Sequence, residues 1–268
     1  QIKAVTERGI DSRNIILCTD DSHSGTLVYE GHMNRVVRHA IAQGLNPITA
    51  IQMATLNTAQ HFCLERELGS ITPGRRADLI LSSDLTTLPI ELVIAHGQVM
   101  AENGKLVVEL PKFAYPKTAK NTVHVGRELS ARDFEIAAPQ GANKVEARVI
   151  GVIENQAPTK ALQRSLDVKS GLVEMDRGND VCQIAVVERH RGLGTVVNAF
   201  VSGFGYNVDC AVASTVAHDS HHIIVVGTNH KDMARAANTL SEIGGGVVVV
   251  SNGKELARVE LVIAGLMS

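Results

Sequence analysis

The short apolar run Asn14-Ile-Ile-Leu-Cys18, ending in Thr19-Asp20-Asp21, constrains this chain more than any other stretch. It is rich in β-branched residues, bounded by polar turns, preceded by a helical pattern over Ile2 to Arg8 that Gly9 stops, and followed by another helical pattern. A helix, a buried run and a helix in succession predict a parallel strand of an α/β fold. A carboxylate at the carboxyl end of such a strand stands where α/β barrels carry their chemistry. There Asp20 could ligate a divalent metal or take a proton from water. The same carboxylate also fits a simple cap of the next turn, and local pattern alone leaves both readings open.

The following helix is predicted over Thr26 to Gln43 and closed by Gly44. Asn46 and Pro47 then read as N-cap and first-turn proline of a helix over Ile48 to His61. From Leu68 the texture changes to short strands and turns, with strand pieces around His96-Gly97 and the hairpin signal Asn103-Gly104. Residues 111–122, with two prolines and three lysines, read as a linker. Beyond them, strands are predicted over Lys144 to Glu154, Val181 to Glu188, Gly194 to Gly203, Ile223 to Val226, Val247 to Val250 and Leu256 to Val262. An amphipathic helix over Asp232 to Ile243 ends in Gly244-Gly245-Gly246.

Composition narrows the function classes. The formal charge is −2 with no Lys/Arg block, and aromatics are 3% with no Trp, which argues against nucleic acid or an anionic membrane as partner. No apolar run approaches the span of a membrane, and the polar start from Gln1 to Arg13 is unlike a secretory signal. The four cysteines, Cys18, Cys63, Cys182 and Cys210, are far apart and read as reduced thiols of a cytoplasmic protein. Gly192-Leu-Gly194 and the Gly244 triplet lack the context of a phosphate loop and read as turns.

A second polar cluster lies at His218, Asp219, His221 and His222. It reads as a strand-entry turn with satisfied histidines, as a contribution to a substrate pocket, or as a separate metal site. Ser22 and His23 follow the aspartates directly, where a barrel loop would touch substrate, and Glu30 and His32 lie one turn further on.

Three signatures in order carry a family resemblance. Asn46-Pro47 through Leu56-Asn-Thr-Ala59 resembles the last barrel helix of the amidohydrolase superfamily. Leu68-Gly-Ser-Ile-Thr-Pro-Gly-Arg-Arg-Ala-Asp-Leu-Ile80 resembles its return to a small β-sandwich, and Val93-Ile-Ala-His-Gly-Gln-Val99 the strand that follows. Within that superfamily the chain resembles the bacterial adenine deaminase family. The corner Cys18-Thr-Asp-Asp21 with Glu30-Gly-His32 is similar to that family's, and Ser214 to Gly227 with Ile263-Ala-Gly-Leu-Met267 resembles its C-terminal domain.

The resemblance implies an α/β chain in three parts. Residues 1–66 would be the C-terminal end of a metal-dependent (β/α)8 barrel, 67–110 part of the small β-sandwich, and 123–268 the C-terminal domain. It implies hydrolytic deamination of adenine to hypoxanthine and ammonia by a metal-activated water, with a binuclear iron or manganese site in the intact enzyme. Asp20 would be catalytic residue and metal ligand, and Asp21, Ser22, His23, His218, Asp219 and His221 would contact substrate. The partner implied is a small molecule in purine salvage, and a homo-oligomer is expected. The family's first-strand histidine pair, bridging acid and middle-strand histidines match nothing here, so the chain is expected to be a fragment whose own activity is doubtful. An amidohydrolase acting on cyclic amides, or a non-catalytic assembly fragment, are the competing readings.

Overall fold

The computed structural model describes residues 2–268, which divide into one compact unit ending at Lys112 and another running Phe113–Ser268.

The first unit opens with α1 (Ile2–Thr6) and a 3-10 turn at Ser12–Asn14. Four helices follow: α2 (Ser24–Tyr29), α3 (Met33–Ala42), α4 (Pro47–Ala54) and α5 (Leu56–His61). The strand expected over 14–18 is not formed. That stretch pairs with no strand among the described residues, and its Leu17 N–H donates to the Met53 carbonyl of α4 at 3.0 Å. A strand exists only through ladder partners, so an apolar run without neighbours docks on a helix end instead. The single helix expected over Thr26 to Gln43 is two helices. Gly31 at φ +109° separates them, and the Asn34 side chain accepts the His32 N–H at 2.9 Å to start α3.

Asn46 caps α4 as its sequence announces, accepting from Ile48 and Thr49 at 3.0 and 3.3 Å. The helix expected from Ile48 to His61 breaks at Thr55, whose hydroxyl donates to the Ile51 carbonyl at 2.7 Å. The apolar sides of α3 and α4 meet in a core of Val37, Ala40, Ile41, Ala50 and Met53. After α5 the chain forms an antiparallel sheet in sequence order: β1 (Leu79–Leu81), β2 (Leu92–Ala95), β3 (Gln98–Glu102) and β4 (Lys105–Leu106). The two tight turns between β2, β3 and β4 hold His96-Gly97 and Asn103-Gly104 at positive φ, the mirror-image turn that hairpins prefer.

The second unit begins with the short α6 (Lys117–Lys120). Its strands are β5 (Lys144–Gly151), β6 (Lys160–Lys169), β7 (Leu172–Val173), β8 (Val181–Val187), β9 (Val196–Ser202), β10 (Ala211–Ser214) and β11 (Ile223–Gly227). Helix α7 (His230–Ile243) then leads to β12 (Gly246–Ser251) and β13 (Lys254–Glu260). They form one nine-stranded sheet in the order β13-β12-β10-β11-β8-β9-β5-β6-β7, antiparallel except where β5 runs parallel to β9.

Helix α7 covers one face of this sheet. Met233, Ala236, Ala237 and Leu240 recur at helical spacing, and all are sealed against Ala213, Ile223, Val225 and Val248. Asn229 caps the helix by accepting the Asp232 N–H at 2.8 Å, and Gly244 ends it at φ +82°. The buried Asp232 carboxylate accepts the N–H groups of Asn252 and Gly253 at 2.9 and 2.7 Å, which ties the helix start to the β12–β13 turn. Gly246 has no room for a side chain, because a β carbon there would lie 2.0 Å from the Val259 carbonyl oxygen. The outermost strand β13 is exposed throughout, and its charges and the register shift beside Val249 discourage further pairing at that edge.

Truncating Leu240 to Ala is expected to cost about 2–5 kcal/mol, because the α7 seal has no slack. The same change at Leu256, 65% exposed on β13, should cost under about 0.5 kcal/mol. Urea unfolding of the two variants checks the contrast, and equal costs would contradict this packing.

Candidate functional site

Two places gather the polar residues that the sequence singled out. One is the corner at Asp20, in the first unit. Its geometry begins with Asn57, a buried polar residue of α5. The Asn57 amide donates to the Ser12 carbonyl at 2.8 Å and to the Ile15 carbonyl at 3.0 Å. Together with the Leu17–Met53 bond, this fixes the extended stretch that leads into the corner. At its end Asp20 turns the chain at φ +52°, a left-handed conformation in which aspartate is one of the tolerated residues. Its carboxylate accepts the Asp21 N–H at 2.9 Å. Asp20, Asp21 and His23 are exposed and Ser22 is half-buried, so the corner presents its side chains outward. His23 takes the N-cap position of α2, with its carbonyl accepting the Leu27 N–H at 3.1 Å.

The donor set at this corner decides what it can hold. No group of three His, Cys, Asp or Glu side chains able to hold a metal ion exists among the described residues. A binuclear site needs many more ligands than the Asp20 carboxylate, so the residues present do not by themselves fit that cofactor. What the corner offers is the two exposed carboxylates of Asp20 and Asp21, on a turn whose approach is fixed by the bonds of Asn57 and Met53. A cavity of about 530 Å³ in the same unit, walled by Ile51, Phe62, Leu68, Ile71 and Leu79, includes none of these corner residues.

The second place is the loop 216–222 that enters β11. The structure brings three of the predicted residues together there. His218 and Asp219 pair through Nδ1 and a carboxylate oxygen, and the His218 and His221 rings stand edge to face with centroids 5.5 Å apart. The rest of the arrangement comes from residues that the sequence reading passed over. Arg189, only 2% exposed, donates from Nε to the His221 carbonyl. Its other nitrogens donate to the carbonyls of Thr122 and Ala264, both at 3.1 Å. Burial pushes its guanidinium pKa down from the ordinary arginine value. His190 Nε2 lies 2.9 Å from the Ser220 carbonyl and donates to it, and its ring lies 4.7 Å from that of His222. Glu188 accepts the N–H groups of His190, Arg191 and Leu193 at 2.6, 2.8 and 3.1 Å.

Burial, and next the neighbouring His190, push the His222 pKa below the usual histidine value. The Nδ1 atoms of His221 and His222 are buried without a hydrogen-bond partner. The signal that could have found this anchor is the polar triplet Glu188-Arg189-His190, which follows the wholly apolar end of β8 without a gap.

Comparison with known proteins places both regions. Residues 2–125 match the Amidohydrolase family, and residues 156–268 match the Adenine deaminase C-terminal domain. Adenine deaminase 3 of Rhizobium meliloti (strain 1021) is 70% identical over 268 residues, all of this chain and 45% of the relative. The adenine deaminase of Mesorhizobium japonicum is also 70% identical over 268 residues, 44% of its length. That of Moorella thermoacetica is 47% identical over 267 residues, 45% of its length. The chain thus spans just under half the length of the relatives it matches.

Arg189 joins three separate stretches of the second unit, so Arg189→Met is expected to cost about 3 kcal/mol by leaving their carbonyls unbonded. Arg189→Lys should recover less than half of that, since one ammonium cannot reach all three. Chemical denaturation measures both, and a loss under about 0.5 kcal/mol for Arg189→Met would contradict the clamp.

Proposed function

Residues 2–125 of this chain carry an amidohydrolase-family stretch and residues 156–268 an adenine deaminase C-terminal domain, and from that premise we propose that it is part of an adenine deaminase. The reaction is hydrolysis of the 6-amino group: adenine and water give hypoxanthine and ammonia. The observation that carries this reading is 70% identity, over the whole chain, to relatives that bear that name. A cyclic-amide substrate is favoured less, because the C-terminal match is to a domain named for adenine deaminases.

In this reading residues 1–66 belong to the closing end of a (β/α)8 barrel, 67–110 to its small β-sandwich and 123–268 to the C-terminal domain. The extended run 15–18 is then the last barrel strand, waiting for ladder neighbours from the part of the relatives' length that this chain does not span. Asp20 would stand at the catalytic end of that strand. Its carboxylate accepts the proton of the attacking water and returns it to the departing nitrogen, two transfers within hydrogen-bond reach of one group.

Amidohydrolases act with divalent metal, and iron or manganese is the pair we favour. Asp20 would contribute one ligand, and the others would come from outside the described residues. Asp21, Ser22 and His23 line the approach to the reacting carbon, and His218, Asp219 and His221 offer hydrogen bonds to the purine. A small-molecule partner, a homo-oligomeric assembly and a cytoplasmic setting complete the reading. No described helix is long and apolar enough to cross a membrane.

The test uses a polypeptide in which this chain sits within the full length of its relatives. Asp20→Asn there should lower ammonia release from adenine by about 10²–10⁴-fold, with the fold retained by circular dichroism. Turnover within a few-fold of the parent would reject the assignment. Elemental analysis of the 268-residue chain alone is expected to find less than one tightly held metal per molecule, and two would contradict the single-ligand reading.

A further inference from the structure

The loop 216–222 is fastened to its unit by the consecutive residues Arg189 and His190, just past the end of β8. Arg189 holds the His221 carbonyl, and His190 holds the Ser220 carbonyl. Within the loop, the His221 N–H closes a turn on the Ala217 carbonyl at 2.6 Å. The charged and titratable groups facing His222 are Glu188, Arg189 and His190. Those at His221 and its neighbour are His218, in ring contact, and Asp219, paired to His218. Glu188 already accepts three backbone N–H groups of the turn after β8, so its charge is largely committed there. Arg189 stays protonated across the range in which histidines titrate. The Nδ1 of His222 is shielded from solvent without a hydrogen-bond partner, although the Glu188 charge nearby favours a proton on the ring.

We propose that the loop 216–222 is an acid-released clamp, closed while His222 is neutral and opened when a proton on its partnerless ring sets a second cation near the buried guanidinium of Arg189. The His190 and His222 imidazoles are 4.7 Å apart between ring centres. The direction of the pH effect follows from burial. His222 is held below its ordinary value of 6.5, by burial first and by His190 next. The open loop, where the ring meets water, therefore binds the proton more readily than the closed loop. The closed state has its full stability above pH 6.5 and loses it as the pH falls through 6.5 toward the lowered value. The clamp is read from the loop's own geometry and uses no step of the deamination, although His218, Asp219 and His221 are the residues proposed above to bond the purine.

Amide hydrogen exchange on the chain itself tests the proposal, with rates corrected for the intrinsic pH dependence of exchange. The protection factor of the His221 amide is expected to fall several-fold, and by at most about tenfold, between pH 7.5 and 5.5. The amides of Ala185 and Val225, in the core strands, should hold theirs. In the parent, the NMR titration of the His222 ring should follow the same midpoint. In His222→Phe, which keeps an aromatic ring and removes the proton site, the His221 protection should become flat over that range. Protection that is unchanged in the parent, that falls only below about pH 4.5 where carboxylates titrate, or that still falls in His222→Phe would each overturn the proposal.

Discussion

A guanidinium that is 2% exposed and satisfied by the carbonyls of Thr122, His221 and Ala264 is the tie on which the far end of the second unit depends. A buried cation costs free energy unless its donors are matched, and here they are matched by backbone from three distant stretches. The arrangement is stable only if those stretches stay together. The nine-stranded sheet makes that possible by fixing the end of β8 and the start of β11 side by side through the Val187–Ile223 pairing. Helix α7 then seals the sheet from one face, so the polar tie and the apolar seal reinforce each other.

Legibility in the sequence followed how locally each element is determined. The Asn46-Pro47 start of α4, the Asn103-Gly104 turn and the Gly244 stop of α7 were readable because a few adjacent residues dictate them. So were the buried strands β8, β11 and β12, whose runs of Val, Ile and Ala admit little else. Strand β6 was missed because Lys160 to Lys169 carries four charged residues and faces water along most of its length. Its strand character comes from pairing with β5, which no local pattern announces. The run 14–18 failed in the opposite sense, since its residues ask for a strand and its surroundings supply no partner. The Asp20 corner was legible as a turn, while the metal site proposed there would draw on residues far apart in sequence, which local pattern does not bring together. The loop at His218 was legible as a cluster, while Arg189 and His190, which hold it, lay about 30 positions upstream.

The two units differ in how much of their chemistry they finish on their own. In the second, the polar clusters close on partners within the unit: Gln183 with Phe134, Asn198 and His230, Asp232 with the β12–β13 turn, and Arg189 with its carbonyls. In the first, the corner stops at the exposed carboxylates of Asp20 and Asp21. Asn57 spends its amide in holding the backbone that leads into that corner. A corner held this firmly is compatible with the proposed role of Asp20 as one contribution to a larger site.

The most direct measurement is therefore the position of the metal, located by anomalous scattering, in a crystal of a polypeptide in which this chain sits within the full length of its relatives. The account predicts a divalent ion with a carboxylate oxygen of Asp20 at about 2.0–2.2 Å. An occupied metal site whose ligands exclude Asp20 would contradict it.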